Sequence, residues 1–354
     1  MNKISIKDIS RSLIFMMAFA LIFVFLARGF AVGSSSSEDG MESRITTAYR
    51  GEARNSLDVI FTGNSDIYRG VSPVDLYDRT GITSAVSGRP NNSPEMIVKD
   101  IEDILRYQDP KVIVLETDCL FSGKNPSFTK KQAAAPSPTL FAKLRSVVRE
   151  ADSAIISGIN FYFPLIKYHD RWKSVTISEL MGKPQKPWHD AAKGYRYSDD
   201  RVAYKGVDYM AKTDNREEID AIALQSLNQF VEICRNADIQ VLFVEMPSAN
   251  SWNMARHQAV ADYASDRNIS FIDFNMKDMM TKTGFDWLTD SRDGGNHLNY
   301  SGAKKISVWL GDYLAKDYQL EDHRKDSRYQ RWQQDVSAYD RIVLGAVHQT
   351  ADES

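Results

Sequence analysis

Along this chain, short apolar runs alternate with stretches in which apolar positions recur every three or four residues. DVIFT (58–62), KVIVLE (111–116), IQVLFVE (239–245) and SFIDF (270–274) are β-branched and nearly continuous, the pattern of strands buried on both faces. Ile97, Ile101, Ile104 and Leu105 share one helical face ahead of the second run, and Ile219, Ala223, Leu227, Phe230 and Cys234 do so ahead of the third. A last helix starts near Ala303, with Ile306, Trp309, Leu310 and Tyr313 on its apolar side. This alternation predicts right-handed crossovers and an α/β fold, a doubly wound, mainly parallel, flavodoxin-like sheet. Ligands of such sheets gather at the carboxyl ends of the strands, so function is sought just after Thr62, Glu116, Glu245 and Phe274.

Two regions break the pattern. Between Phe121 and Thr213 the chain is punctuated by Pro126, Pro136, Pro138, Pro164, Pro184 and Pro187 and is rich in aromatic residues. One structureless loop of that length is not expected inside a compact domain, so 121–213 is read as an insertion or cap on a catalytic domain spanning 51–320. The polar tail 321–354 keeps Trp332, Val336, Tyr339 and Val343 at helical spacing and predicts one docked amphipathic helix.

The N-terminus is different again. LIFMMAFALIFVFLA (13–27) and the apolar residues after Arg28 give a stretch, 12–33, of the length that spans a bilayer. Lys3, Lys7 and Arg11 precede it and Glu38, Asp39 and Glu42 follow, which predicts a cytoplasmic N-terminus (1–11) and everything beyond the span outside. FAVG (30–33) fits a small-residue cleavage site poorly, which favours an uncleaved anchor over a signal peptide. The serine-rich stretch within 34–50 reads as a flexible tether. These features predict a single-pass protein of the cell membrane with its domain extracytoplasmic.

Composition narrows the function classes. With 43% hydrophobic and 26% charged residues the 354-residue chain is an ordinary globular one. Its net charge of -3, with basic residues scattered, argues against nucleic acid as a partner. The cysteines, Cys119 and Cys234, are too few for a metal cluster, and the six histidines lack the paired spacings of a zinc site, so no metal is expected. Each cysteine reads as buried and inert, with a single disulfide between them left open.

The chemistry lies at two ends of the domain. Gly63-Asn64-Ser65-Asp66 follows the first strand, where a glycine permits a sharp turn and leaves Ser65 at the strand's carboxyl end with its N–H available to an oxyanion. Gly, Asn and Ser are also plain turn residues, so this block alone fits an ordinary turn equally well. The second block changes the balance: Asp293-Gly294-Gly295-Asn296-His297-Leu298-Asn299 is a glycine-rich loop before the last helix, able to present His297 to Ser65. An imidazole in reach takes the hydroxyl proton as the oxygen attacks an acyl carbon, and a carboxylate fixes its tautomer. Ser65, His297 and Asp293 supply those roles, with Asp290 the alternative acid.

These two blocks, with Leu298-Asn299 and Gly302-Ala303 after the histidine, resemble the SGNH or GDSL hydrolase family from about Asp58 to Leu314. Within it, VIFTGNSDIYRGVSP, YHDRWKS and GNHLNYSGAKK look most like membrane-anchored extracytoplasmic members that partner membrane-bound O-acyltransferases, and more distantly like the D-alanine transfer protein of teichoic acid. The chain departs from the pattern in three places: Asn64 stands where the family has Asp, Asp293 precedes His297 by four residues instead of three, and Glu116-Thr117-Asp118-Cys119 replaces the G-x-N-D block. The resemblance implies oxyanion donors at Ser65 and Gly88, and an asparagine donor from Asn92 or Asn91. Asn64, Asp66, Arg89 and Trp172 are candidate substrate contacts. Trp172, beside His169, Asp170 and Arg171, reads equally well as an anchor of the cap, and Phe161, Tyr162, Phe163 and Trp188 as sugar platforms or core. His257 reads as a half-exposed surface histidine, and His323 and His348 as parts of the polar tail.

The activity these residues imply is O-acyl transfer, above all of acetyl, through a Ser65 acyl-enzyme to a cell-surface polysaccharide or glycopolymer, with a membrane-bound O-acyltransferase as partner and no cofactor. Hydrolysis of such esters is the second reading, since one triad serves both outcomes. A non-catalytic polysaccharide-binding scaffold is the reading of another class.

Overall fold

The computed structural model describes residues 7, 11–12, 14–19, 21–23, 45–121 and 189–352, with side chains through residue 343. The chain divides into two compact units, one of 1–41 with 133–186 and one of 42–132 with 187–354. In the first, the described residues of the N-terminal apolar stretch are helical, and Ile14, Phe15, Met16, Met17, Phe19, Leu21 and Ile22 are exposed. Among the described residues no helix is long and apolar enough to cross a membrane, and the 12–33 span expected from sequence lies only partly within them. Trp172, His169 and the 122–188 part of the expected insertion lie outside the described residues.

The second unit is built on five parallel strands, β1 (Val59–Gly63), β2 (Ser84–Gly88), β3 (Val112–Glu116), β4 (Gln240–Glu245) and β5 (Ser270–Asp273), in the order β2-β1-β3-β4-β5. Alternate residues serve opposite faces, as strand geometry requires. Ile60, Ile113, Leu115 and Phe243 pack with Ile97, Ile101, Leu227 and Phe230, whereas Phe61, Val112, Val114 and Val244 pack with Ile67, Leu76, Ile306 and Leu310. The first set of partners comes from α3 (Pro94–Tyr107) and α4 (Ala221–Asn236). The second comes from α1 (Ser65–Gly70), α2 (Pro73–Thr80) and α7 (Tyr300–Asp317). Helices α5 (Met254–Asp266) and α6 (Lys277–Thr283) flank β5 in sequence.

This is the expected α/β sheet, with one strand added. Residues 84–88 stand outside the four apolar runs because β2 is short and carries Ser84 and Ser87, yet all five of its residues are buried. It is an edge strand, and the segment returning from the insertion covers that edge through Val86 N–H to the Lys193 carbonyl, 2.8 Å. The tail is not merely polar. It forms α8 (Gln330–Asp352), with Trp332 and Tyr339 buried, and Lys193, fully buried, pairs there with Asp335 (2.6 Å) and Glu52 (2.8 Å) under the Trp332 ring. His323, assigned to that tail, is also buried and bonded to Asp58 at 2.8 Å. Cys119 and Cys234 are both buried free thiols.

Candidate functional site

Strand order reverses between β1 and β3, since β2 lies on one side of β1 and β3 on the other. In a doubly wound sheet this switch point opens a crevice at the strands' carboxyl ends. Ser65 follows β1 there, and Glu116 closes β3.

The turn that carries Ser65 is locked from below. Fully buried Glu116 accepts the Asn64 N–H at 2.9 Å and the Asp118 N–H at 2.7 Å. Asn64, the N-cap of α1, accepts from the Asp66 N–H at 2.7 Å through its side-chain oxygen, and its amide donates to Asp118 at 3.1 Å. Gly63 allows the carboxylate in: a Cβ at that position would lie 2.6 Å from the Glu116 Cβ and 2.7 Å from its Oε2. Asp118 is anchored in turn by Arg256, itself buried, at 2.9 Å. The first turn of α1 leaves the Ser65 N–H without an intrahelical acceptor, as at any helix start.

His297 arrives on the 291–298 loop, a tight structure closed by the Ser291–Leu298 bridge. Ser291 Oγ accepts the N–H groups of Gly294 and Gly295 at 3.1 and 3.0 Å, and both glycines hold positive φ, 79° and 110°. Asp293 Oδ1 accepts the N–H groups of Asn296 and His297 at 3.2 and 2.8 Å, which leaves Oδ2 for His297 Nδ1 at 2.6 Å. His297 Nε2 then lies 2.9 Å from Ser65 Oγ. The result is an unbroken Asp–His–Ser chain of hydrogen bonds. The four-residue spacing is what lets one carboxylate both fold the loop and meet the ring. Burial raises the Asp293 pKa, but the hydrogen bonds from His297 outweigh it and hold the carboxyl below its ordinary value. Asp290, the alternative acid, is fully buried and turned away, bonded to the Asp286 N–H, Ser301 and Lys305 at 2.7 to 2.8 Å.

The other candidates take varied positions. Gly88 ends β2 against α1, where an added Cβ would meet Tyr68, Ile67 and the Asn64 carbonyl at 2.8 to 2.9 Å. Its lack of a side chain is therefore a packing need. Asn92 is buried with its amide on the Gly63 carbonyl at 3.1 Å, and Asn91 takes a left-handed φ of 49°. Arg89 grips Asp100 through two nitrogens, at 2.8 and 3.0 Å. Asp66 is buried with Oδ1 lacking a hydrogen-bond partner, 3.9 Å from His297 Nε2. His257, half-exposed, bonds to buried Asp273 at 2.7 Å.

Sequence reasoning singled out Asp66 as a substrate contact but missed its grouping with Glu116 and Asp118 beneath the turn. Asp66, Glu116 and Asp118 bring one oxygen each to within 4.8 Å of one another, the grouping among the described residues that could hold a cation. Burial, then the neighbouring Asp118 charge, pushes Glu116 up to about 8. Burial and then Glu116 raise Asp66, and burial and then Glu116 raise Glu245. Donors offset part of that raising: Glu116 accepts the Asn64 and Asp118 N–H groups, and Asp118 accepts from the Asn64 amide and Arg256. The signal was on the page: an apolar strand ending in Glu-Thr-Asp.

No family model and no curated protein matches the chain. Among solved structures, it is similar to a Bacteroides fragilis protein named as a candidate acylhydrolase, with 10% identity over 79% of this chain and 99% of that one at a TM-score of 0.37. It is also similar to a Streptococcus pneumoniae protein named as a candidate platelet activating factor, with 13% identity over 77% of this chain and 92% of that one at a TM-score of 0.40.

Proposed function

We propose that this chain is a serine enzyme of the SGNH type that carries acyl groups, acetyl above all, on Ser65 and passes them to a sugar hydroxyl of a cell-surface glycopolymer. The observation that carries this reading is the Asp293–His297–Ser65 relay at a sheet switch point, with contacts of 2.6 and 2.9 Å. His297 takes the Ser65 proton as Oγ adds to the acyl carbonyl, and returns it to the leaving alcohol when the tetrahedral adduct collapses to the acyl-enzyme. In the second half the acceptor hydroxyl gives its proton to His297 and attacks the ester, and the proton returns to Ser65 Oγ as it leaves. The Ser65 N–H faces the developing oxyanion, with Gly88 and Asn92 as the candidate second donors. Asp293, held ionised, keeps Nδ1 protonated so that Nε2 faces the serine.

Membrane anchoring belongs to the same reading. The exposed apolar helix at the N-terminus would sit in the bilayer, with the domain outside the cell and a membrane-bound O-acyltransferase handing over the donor. Water in place of the sugar gives an esterase, the second outcome of the same relay.

Mass spectrometry of the full chain in mild detergent, after incubation with 4-nitrophenyl acetate, tests the chemistry. An acetyl mass on Ser65 in the wild type, absent from Ser65→Ala, is expected. A Ser65→Ala protein that retains full function in its membrane would make the chain a scaffold and end the enzyme reading.

A further inference from the structure

Beside Ser65 and His297 three arginines gather, two of them without a carboxylate partner among the described residues. Arg69 sits four residues after Ser65, one helical turn along α1, and is 9% exposed. Its only hydrogen bond among the described residues is a long one, 3.4 Å from Nη1 to the Arg196 carbonyl. Arg196 is fixed by its main chain, whose N–H donates to the Tyr68 carbonyl at 2.8 Å, while its half-buried guanidinium has no ion-pair partner among the described residues. Arg292 comes from the base loop. Its Nε is 3.0 Å from Ser198 Oγ and 3.2 Å from Asp200, and its Nη1 is 3.9 Å from Asp293. Segment 196–200 thus runs between the nucleophile helix and the base loop and draws the cations together.

Two of the three guanidiniums face no carboxylate, although burying an unpaired charge is costly. Burial, then the Arg292 and Arg196 charges, holds Arg69 down to about 10. An isolated surface arginine would show no such depression. Guanidinium forks fit the paired oxygens of carboxylate and phosphate groups.

We propose that Arg69, Arg196 and Arg292 form a binding site for an oxyanion, a carboxylate or phosphate, carried by the acyl acceptor, so that the polymer acylated at Ser65 is an anionic one. This rests on the reading of Ser65 as an acyl carrier. The anion would dock within one helical turn of the nucleophile and bring a neighbouring hydroxyl to the acyl-enzyme, with no covalent step of its own.

Calorimetric titration of the full chain in non-ionic detergent tests the site with glucuronate and with sn-glycerol 3-phosphate, against glucose, glycerol and chloride of equal ionic strength. Saturable binding of at least one anion is expected, with the neutral analogues inert. The anion that binds identifies a uronate-bearing or a phosphodiester polymer. Arg196→Gln should weaken binding about 10- to 100-fold, the range for a charge-assisted hydrogen bond. Arg196→Lys, keeping charge but losing the fork, should fall between. If Arg69→Gln does not fold, Arg196→Gln still decides, because its guanidinium makes no hydrogen bond or ion pair to lose among the described residues. No binding above chloride, or equal binding by Arg196→Gln and Arg292→Gln, overturns the site. Ser65→Ala separates the two readings. An acetyl adduct on Ser65 with no anion binding sinks this inference alone, and anion binding retained without any adduct sinks the acyl-carrier reading alone.

Discussion

Asp293→Asn is the sharpest perturbation of the relay, because the structure says which bonds survive it. Asp293 Oδ1 accepts two loop N–H groups, at 2.8 and 3.2 Å, and the Asn carbonyl can keep both. What is lost is Oδ2, 2.6 Å from His297 Nδ1. An amide NH2 there can only donate, so Nδ1 must become the acceptor and the proton moves to Nε2, facing Ser65 Oγ at 2.9 Å with no lone pair to offer. A histidine in the wrong tautomer costs about 10⁴-fold in kcat, or roughly 5.5 kcal/mol of transition-state stabilisation. The fold should hardly notice, since the side chain is 32% exposed and one such contact contributes about 1 kcal/mol or less. The assay is the steady-state rate and acylation burst with 4-nitrophenyl acetate, beside a thermal melt. Activity within tenfold of wild type at unchanged Tm would refute the tautomer argument and remove Asp293 from the relay.

Two further perturbations address the scaffold. Glu116→Gln removes a buried carboxyl whose pKa is pushed to about 8 from an ordinary 4.5. A raised folded-state pKa contributes stability that is fully present below the unfolded value and lost as pH rises through the folded one. The wild type should therefore lose more stability than Glu116→Gln between about pH 5 and about pH 9 in urea melts, and parallel slopes would contradict the assignment. Lys193→Met leaves buried Glu52 and Asp335 with His189 as their remaining cationic partner and should cost about 3 kcal/mol. A melt, with proteolysis at α8 as a local probe, reads that loss, and an unchanged melt would show that the buried lysine does not tie the tail down.

The sequence was legible where burial is symmetrical. β1, β3, β4 and β5 are apolar runs because helices cover both their faces, and α3, α4 and α7 showed the single stripe that follows from packing on such a sheet. β2 was not legible: as an edge strand of Ser-Ala-Val-Ser-Gly it draws its burial from the chain that returns over it, which local pattern cannot reveal. The short α1 and α2 were hidden for a related reason, since one or two turns carry too little periodicity to register. At the site, Ser65, His297 and Asp293, which the structure brings into one hydrogen-bonded chain, stood out because their spacing and glycines are local. Glu116, Asp118 and Arg256 act across 52 to 138 positions of sequence and leave no local trace beyond an acid at a strand end.

That division has a physical cause in the topology. Register Thr62↔Leu115 sets the end of β1 beside the end of β3, so whatever follows Leu115 lies under the turn that presents Ser65. A small residue there would leave the Asn64 and Asp118 N–H groups buried without acceptors. A carboxylate satisfies both, but its own burial then calls for shared protons or a cation. Arg256 meets part of that demand through Asp118, while burial and the neighbouring Glu116 raise Asp66 and Glu245. The turn that carries Ser65 is thus held by the charged groups beneath it. The base loop is rigid because of hydrogen bonds within it and to segment 196–204, where Gly294 N–H meets the Val202 carbonyl at 3.1 Å. Two independently stiff elements meeting at one 2.9 Å contact are what general-base catalysis needs, since the serine–histidine distance is then set before any substrate arrives.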